Sequence, residues 1–153
     1  MNNVLNLPPI TVPANDHSRL MRTAQELAEQ GHPLAASLLQ ELHRATVCPA
    51  GELPDDVVTL DTFVTYRMAG EEAPDKRMLI HPDDRMWPPA ELSVLTPVGL
   101  SLLGLRAGHR IPVIGSNGPP DACVEVEAVG PRVTGAFVPV RTVPPDGAAT
   151  RWT

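Results

Sequence analysis

The sequence predicts an α+β fold: a short N-terminal antiparallel helical hairpin of coiled-coil type, then a small antiparallel sheet carrying one short helix. Three observations carry the prediction. Between Asn15 and Ala45 apolar residues recur at every third or fourth position, the spacing of helices with one buried face. Between Val58 and Met68 they alternate with polar residues, the spacing of a half-buried strand. The stretch Leu92 to Val113 reads LSVLTPVGLSLLGLRAGHRIPV: an extended run, a Thr-Pro step, a leucine-rich segment, and an extended run again.

Residues 1–14 contain three prolines and no helical period, so they read as a tail in which Ile10–Val12 can form an edge strand. Helix signals begin at Asn15 and Asp16. Leu20, Ala24, Leu27 and Ala28 form one face with Met21 beside them, and Arg19, Arg22, Glu26 and Glu29 form the other. Gly31 ends this helix, Pro33 suits the first turn of the next, and Ala35, Leu38, Leu39, Leu42 and Ala45 give the second stripe, so residues 15–47 form the hairpin. After the linker CPAGELPDD, the sheet unit spans 53–130. Its first strand is VVTLDTFVTYRM, with Val58, Leu60, Val64, Tyr66 and Met68 inward and a phase break at Thr62 and Phe63. Further strands are expected at Arg77–His81, Glu91–Leu95, Arg110–Ile114 and Ala122–Val129. The last two flank GSNGPP, whose Asn117-Gly118 is a hairpin turn signal. In the leucine-rich segment Thr96 caps, Pro97 fits the first turn, and Val98, Leu102, Leu103 and Leu105 face the sheet. Residues 131–153 are Pro- and Gly-spaced, with FVPV as one more potential edge strand.

Composition excludes several functions. A net charge of -6 and a pI near 5.2 leave no clustered basic surface for a phosphate backbone, so direct nucleic-acid binding is not expected. No apolar run reaches bilayer length, and MNNVLNLPPITVP lacks a basic region followed by a long apolar one; a soluble cytoplasmic protein is the expectation. Cys48 and Cys123 are far apart in sequence and read as reduced, buried thiols. With His43 they make no ligand spacing for a metal, Ser101 lies outside any nucleophile-elbow sequence, and His81, Asp83 and Asp84 in HPDD suit a turn with exposed acids. No cofactor or metal is implied. Trp87, in RMWPPAEL, reads as a cover over the sheet or else as an exposed anchor for a protein partner.

The strand, Thr-Pro step, short helix of small and aliphatic residues, glycine and second strand resemble the C-terminal domain of the GreA/GreB transcription elongation factor family. In combination, ELHRATVC, LPDDVVTLDTFVTYR and LSVLTPVGLSLLGLRAGHRI are most similar to its Rnk subgroup, the regulators of nucleoside diphosphate kinase; the resemblance spans about residues 10–130. It implies an FKBP-like sheet domain that docks on core RNA polymerase at the rim of the secondary channel, with the helical hairpin directed toward that channel. The family's docking surface includes the strand end and Ser-Pro step, which match Leu95, Thr96 and Pro97 here. Two departures stand out. Leu95 occupies a position where cleavage factors can carry an acid, so apolar packing has to replace any polar contact, and His109 stands where the family usually has Asp.

Gre cleavage factors are similar in fold but carry two acids at the hairpin tip that help hold a metal ion and water at the polymerase active site. Here the tip residues are Glu29, Gly31, His32 and Pro33, with Glu26 one turn back sharing a face with Glu29. The hairpin is short, about 21 Å for a helix of about 14 residues. The expectation is therefore a non-enzymatic regulator that binds polymerase and competes with Gre factors. Two alternatives remain: a cleavage factor using Glu26 and Glu29, and a prolyl isomerase or chaperone domain. The latter would want aromatic walls, and before the tail only Phe63, Tyr66 and Trp87 could supply them.

Overall fold

A computed structural model describes residues 7–115 and 122–132. The chain enters as β1 (Thr11–Pro13), forms α1 (Ala14–Glu29) and α2 (Ala35–Arg44), and returns as β2 (Thr46–Cys48), parallel to β1. β3 (Thr62–Met68), β4 (Asp75–Ile80) and β5 (Glu91–Ser93) follow, then α3 (Pro97–Leu102), β6 (Arg110–Pro112) and β7 (Cys123–Arg132). The last five strands form one sheet in the order β5-β4-β3-β7-β6.

The two helices form because each stripe has somewhere to go. Leu20 and Ala24 of α1 and Ala35, Leu38 and Leu42 of α2 are buried, while Arg22, Glu26 and Glu29 face solvent. His17 Nε2 lies 2.9 Å from the Leu42 carbonyl oxygen, which joins the start of α1 to the end of α2 and fixes their antiparallel sense. The apolar faces do not close on each other alone. Leu20, Ala24, Leu34, Leu38 and Leu42 belong to the same buried cluster as Leu60, Val64, Leu79, Leu100 and Val124 of the sheet unit.

The expected tail at 1–14 gives way to structure from Ile10 onward. Ile10 and Val12 are buried, Thr11 pairs with Thr46, and the Thr11 N–H donates to the Gly104 carbonyl at 3.1 Å. Gly104 is required there: its φ is +80°, and a Cβ on it would come within 2.7 Å of Ile10 Cβ. Arg44 secures the same segment by donating to the Pro8 carbonyl at 2.6 Å while gripping the buried Glu41 carboxylate through two hydrogen bonds of 2.9 Å.

The sheet departs from expectation in two places. It is mixed, because β5 runs parallel to β4, with Met78 opposite Glu91 and Ile80 opposite Ser93. A parallel neighbour needs a connection that carries the chain back to its starting end. Residues 81–90 do so through two short 3-10 turns, Pro82–Asp84 and Pro88–Ala90. The long first strand is also broken. Asp61 has φ +64°, so the chain turns where the alternation lost phase; Val57 to Leu60 are buried, and β3 starts at Thr62 with Thr62, Val64 and Tyr66 inward. β6 and β7 pair antiparallel as expected. Their Asn117-Gly118 turn and FVPV lie outside the described residues.

Candidate functional site

Leu95, Thr96 and Pro97 form the turn that leaves β5 and starts α3. All three are half-buried, as are the neighbouring Leu92 and Val98, so the turn presents a partly exposed apolar surface seated on the core. The turn is built from local hydrogen bonds. Thr96 Oγ1 donates to the Ser93 carbonyl at 2.7 Å and accepts the Gly99 N–H at 3.1 Å, and Ser93 Oγ accepts the Leu95 N–H at 3.0 Å. Thr96 is thus the N-cap that the sequence indicates, and Pro97 fills the first helical position, where its missing N–H has no partner to lose. Position 99 admits no side chain, since a Cβ there would sit 2.0 Å from the Ser93 carbonyl oxygen. At the far end Ser101 Oγ donates to the Pro97 carbonyl and accepts the Ile114 N–H, a structural role for a hydroxyl that is fully buried.

The Val94 N–H donates to the Ile80 carbonyl at 2.9 Å, so the 94–97 turn lies beside the end of β4, where the 81–84 turn begins. That second turn meets the helices. Arg19 of α1 pairs with Asp84 through hydrogen bonds of 2.7 and 2.8 Å, and Thr23 Oγ1 lies 2.7 Å from His81 Nε2. The hydrogen bonds from Arg19 hold the Asp84 carboxyl below its ordinary pKa. HPDD therefore forms the expected turn with Asp83 exposed, but Asp84 is half-buried against Arg19, and sequence reasoning missed this contact with α1; the partners are 65 and 58 positions apart, and no local pattern links them.

The tip residues occupy the turn between α1 and α2. Glu29, Gly31 and Pro33 are exposed, and His32 is half-buried with its Nδ1 accepting the Leu34 N–H at 3.1 Å, so it serves the turn itself. Leu34, just beyond, is buried; a Cβ on Gly115 would come within 2.6 Å of its Cδ2. The tip is thus seated against the segment after β6, and the hairpin lies along the sheet unit from Arg19 to Leu34. Glu26 and Glu29 are both exposed on α1. Among the described residues no three His, Cys, Asp or Glu side chains are grouped to hold a metal ion.

Trp87 does not cover the sheet. It is 66% exposed and Met86 is 88% exposed, on the 85–90 loop. The Glu91 carboxylate accepts the backbone N–H groups of both, at 3.0 to 3.1 Å, and so fixes the loop with its two large apolar side chains outward. β5 and Val94 connect this loop to the 95–97 turn. Cys48 and Cys123 are free and half-buried. A groove of about 460 Å³ opens between residues 50–59 and the end of β7; its walls include Leu53, Pro54, Val57, Thr59, Thr62 and Val129. No helix among the described residues is long and apolar enough to cross a membrane.

A small helical pair laid on a five-stranded mixed sheet, with a capped Thr-Pro turn at the sheet's edge, defines the chain as an α+β protein. The chain resembles a prokaryotic transcription elongation factor GreA/GreB from Nitrosomonas europaea at 30% identity and TM-score 0.62, covering 79% of this chain and 98% of that one. The family model described as Rnk N-terminus matches residues 8–47. Proteins named regulator of nucleoside diphosphate kinase from Escherichia coli K12 and Shigella flexneri are 36% identical over 107 residues, 70% of this chain and 79% of theirs. The chain belongs to the GreA/GreB family, in its Rnk subgroup.

Proposed function

We propose that this protein is a transcription regulator that docks on core RNA polymerase at the rim of the secondary channel through Leu95, Thr96 and Pro97, and that it competes there with Gre-type factors without cleaving transcripts. The observation that carries the docking reading is the rigid turn at 93–99, whose cap, proline and close helix approach hold a half-buried apolar surface in place. Leu95 gives that surface an apolar contact where cleavage factors can carry an acid. Met86 and Trp87 lie one short strand away and supply a second anchor for the same partner, since exposed Trp residues at interfaces often dominate binding.

Binding without cleavage is supported by the placement of the hairpin. Carboxylates act on a metal only at contact distance, and a hairpin lying along its own sheet unit, with α1 about 24 Å long, does not project Glu26 and Glu29 away from the body. An effect on nucleoside diphosphate kinase, as in the relatives' name, would then arise indirectly through transcription.

The test is a titration of the labelled protein with core RNA polymerase. Pro97→Asp places an unpaired charge in the contact and weakens binding at least tenfold, whereas unchanged affinity removes this turn from the interface. Transcript cleavage in backtracked complexes is assayed alongside. Cleavage that is lost in the Glu26→Gln, Glu29→Gln double variant would establish the cleavage-factor alternative.

A further inference from the structure

We infer that His81 is a pH-sensitive pin: its neutral ring fastens α1 to the connection between β4 and β5, and its protonation loosens that fastening through the 82–84 turn. The inference is independent of the polymerase reading.

His81 is 2% exposed, and its ring nitrogens are both committed. Nδ1 lies 3.0 Å from the Asp83 backbone nitrogen, and because a backbone N–H can only donate, Nδ1 is the unprotonated nitrogen. Nε2 therefore carries the ring proton and donates it to Thr23 Oγ1 at 2.7 Å. The Thr23 hydroxyl donates in turn to the Arg19 carbonyl at 3.1 Å, closing the chain inside α1. A second ring proton has only Nδ1 to occupy, where it would oppose the Asp83 N–H.

The charged groups around the ring come from both elements that face it. From α1, Arg19 opposes an imidazolium, and Glu26 favours one. From the turn, Asp83 and Asp84 favour one, but Asp83 and Glu26 are exposed and screened, and Asp84 is already bound to Arg19. Asp61, at the head of β3, acts on Arg19. Burial is the largest influence and disfavours the charged ring, so His81 is held below its ordinary value of 6.5, with Arg19 acting in the same direction. The nearest carboxylate for a new Nδ1 proton is that of Asp83, at 3.7 Å. Taking it up removes the acceptor of the Asp83 N–H and disorganises the 82–84 turn, the same turn that offers Asp84 to Arg19. One protonation thus weakens the Arg19–Asp84 link through the turn and sets a positive ring facing Arg19, while Nε2–H goes on donating to Thr23.

The sign follows from linkage. A depressed histidine contributes its full stabilisation above the unfolded value of 6.5 and loses it as the pH falls from there through the folded value. Asp84, held below 3.8 by Arg19, keeps its charge through the range just below pH 6.5, so the Arg19–Asp84 pair does not itself titrate there. Opening coupled to uptake of one proton changes its equilibrium by at most about tenfold per pH unit.

The experiment is amide hydrogen exchange on the full chain between pH 7.5 and 4.8, with intrinsic rates divided out. The expected result is that α1 amides lose protection relative to β3 and β7 amides below pH 6.5, with a slope that approaches tenfold per unit. A ratio that stays constant overturns the inference. In His81→Gln the slope should vanish, and its persistence would assign the effect to another group. If that variant does not fold, NMR titration of the His81 ring in the native chain decides. The ring should titrate below 6.5 in step with the loss of α1 protection, and titration at or above 6.5, or out of step with that loss, overturns the inference.

Discussion

Leu38→Ala tests whether the helical hairpin and the sheet unit are one cooperative structure. Leu38 has no exposed surface and lies in the buried cluster shared by both. The substitution removes three carbons, which at about 0.8 kcal/mol each contribute about 2.4 kcal/mol of lost transfer energy. The cavity left in a close-packed core brings the expected loss to about 3–5 kcal/mol. Against a typical domain stability of about 5–15 kcal/mol this is a large fraction. With a urea m-value of about 1–3 kcal/mol/M, the midpoint falls by about 1–5 M. Unfolding should be followed by circular dichroism at 222 nm, which reports helix, and by NMR intensities of β3 and β7 amides, which report the sheet. A shared core requires both probes to shift together and remain superimposed. If the helical signal moves while the sheet amides keep their wild-type midpoint, the hairpin is an appendage, and the case against a projecting tip falls with it.

Three further outcomes are expected. Gly99→Ala forces a Cβ to within 2.0 Å of the Ser93 carbonyl oxygen and should destabilise the fold by about 1–3 kcal/mol or more, measured by thermal unfolding; an unchanged Tm would mean that α3 is free to shift. Thr96→Val removes the cap and should lower stability by about 0.5–2 kcal/mol, while Thr96→Ser keeps most of it; equal losses would show that the hydroxyl is not what matters. Trp87→Ala, at an exposed site, should leave stability within about 0.5 kcal/mol but weaken polymerase binding by at least about 1 kcal/mol, roughly fivefold by titration; undiminished affinity would leave the 95–97 turn to act alone.

Local signals in the sequence were reliable where a single residue type decides a conformation. Thr96 and Pro97 mark the start of α3 because a hydroxyl cap and a fixed φ act within one turn. The helical stripes locate α1 and α2 since burial follows the 3.6 period, and the phase break near Thr62 coincides with the turn at Asp61. What the sequence hid depends on distant partners. The direction of β5 is set by the return path of residues 81–90, which local alternation does not encode. The sequence marks Ile10–Val12 as a potential edge strand within a proline-rich tail, but not its partners, β2 and Gly104. Trp87 reads first as a cover over the sheet until Glu91 is seen holding its loop open. The proposed docking turn was visible through family resemblance, whereas the His81 pin emerges only when α1 and the 81–84 turn are placed together.

The most direct test of the proposed function is a competition experiment: labelled protein bound to core RNA polymerase, titrated with a Gre-type cleavage factor. Saturable binding that the competitor displaces, and that Pro97→Asp weakens, is the predicted result. Absence of binding at micromolar concentrations, or binding that the competitor leaves untouched, would contradict it.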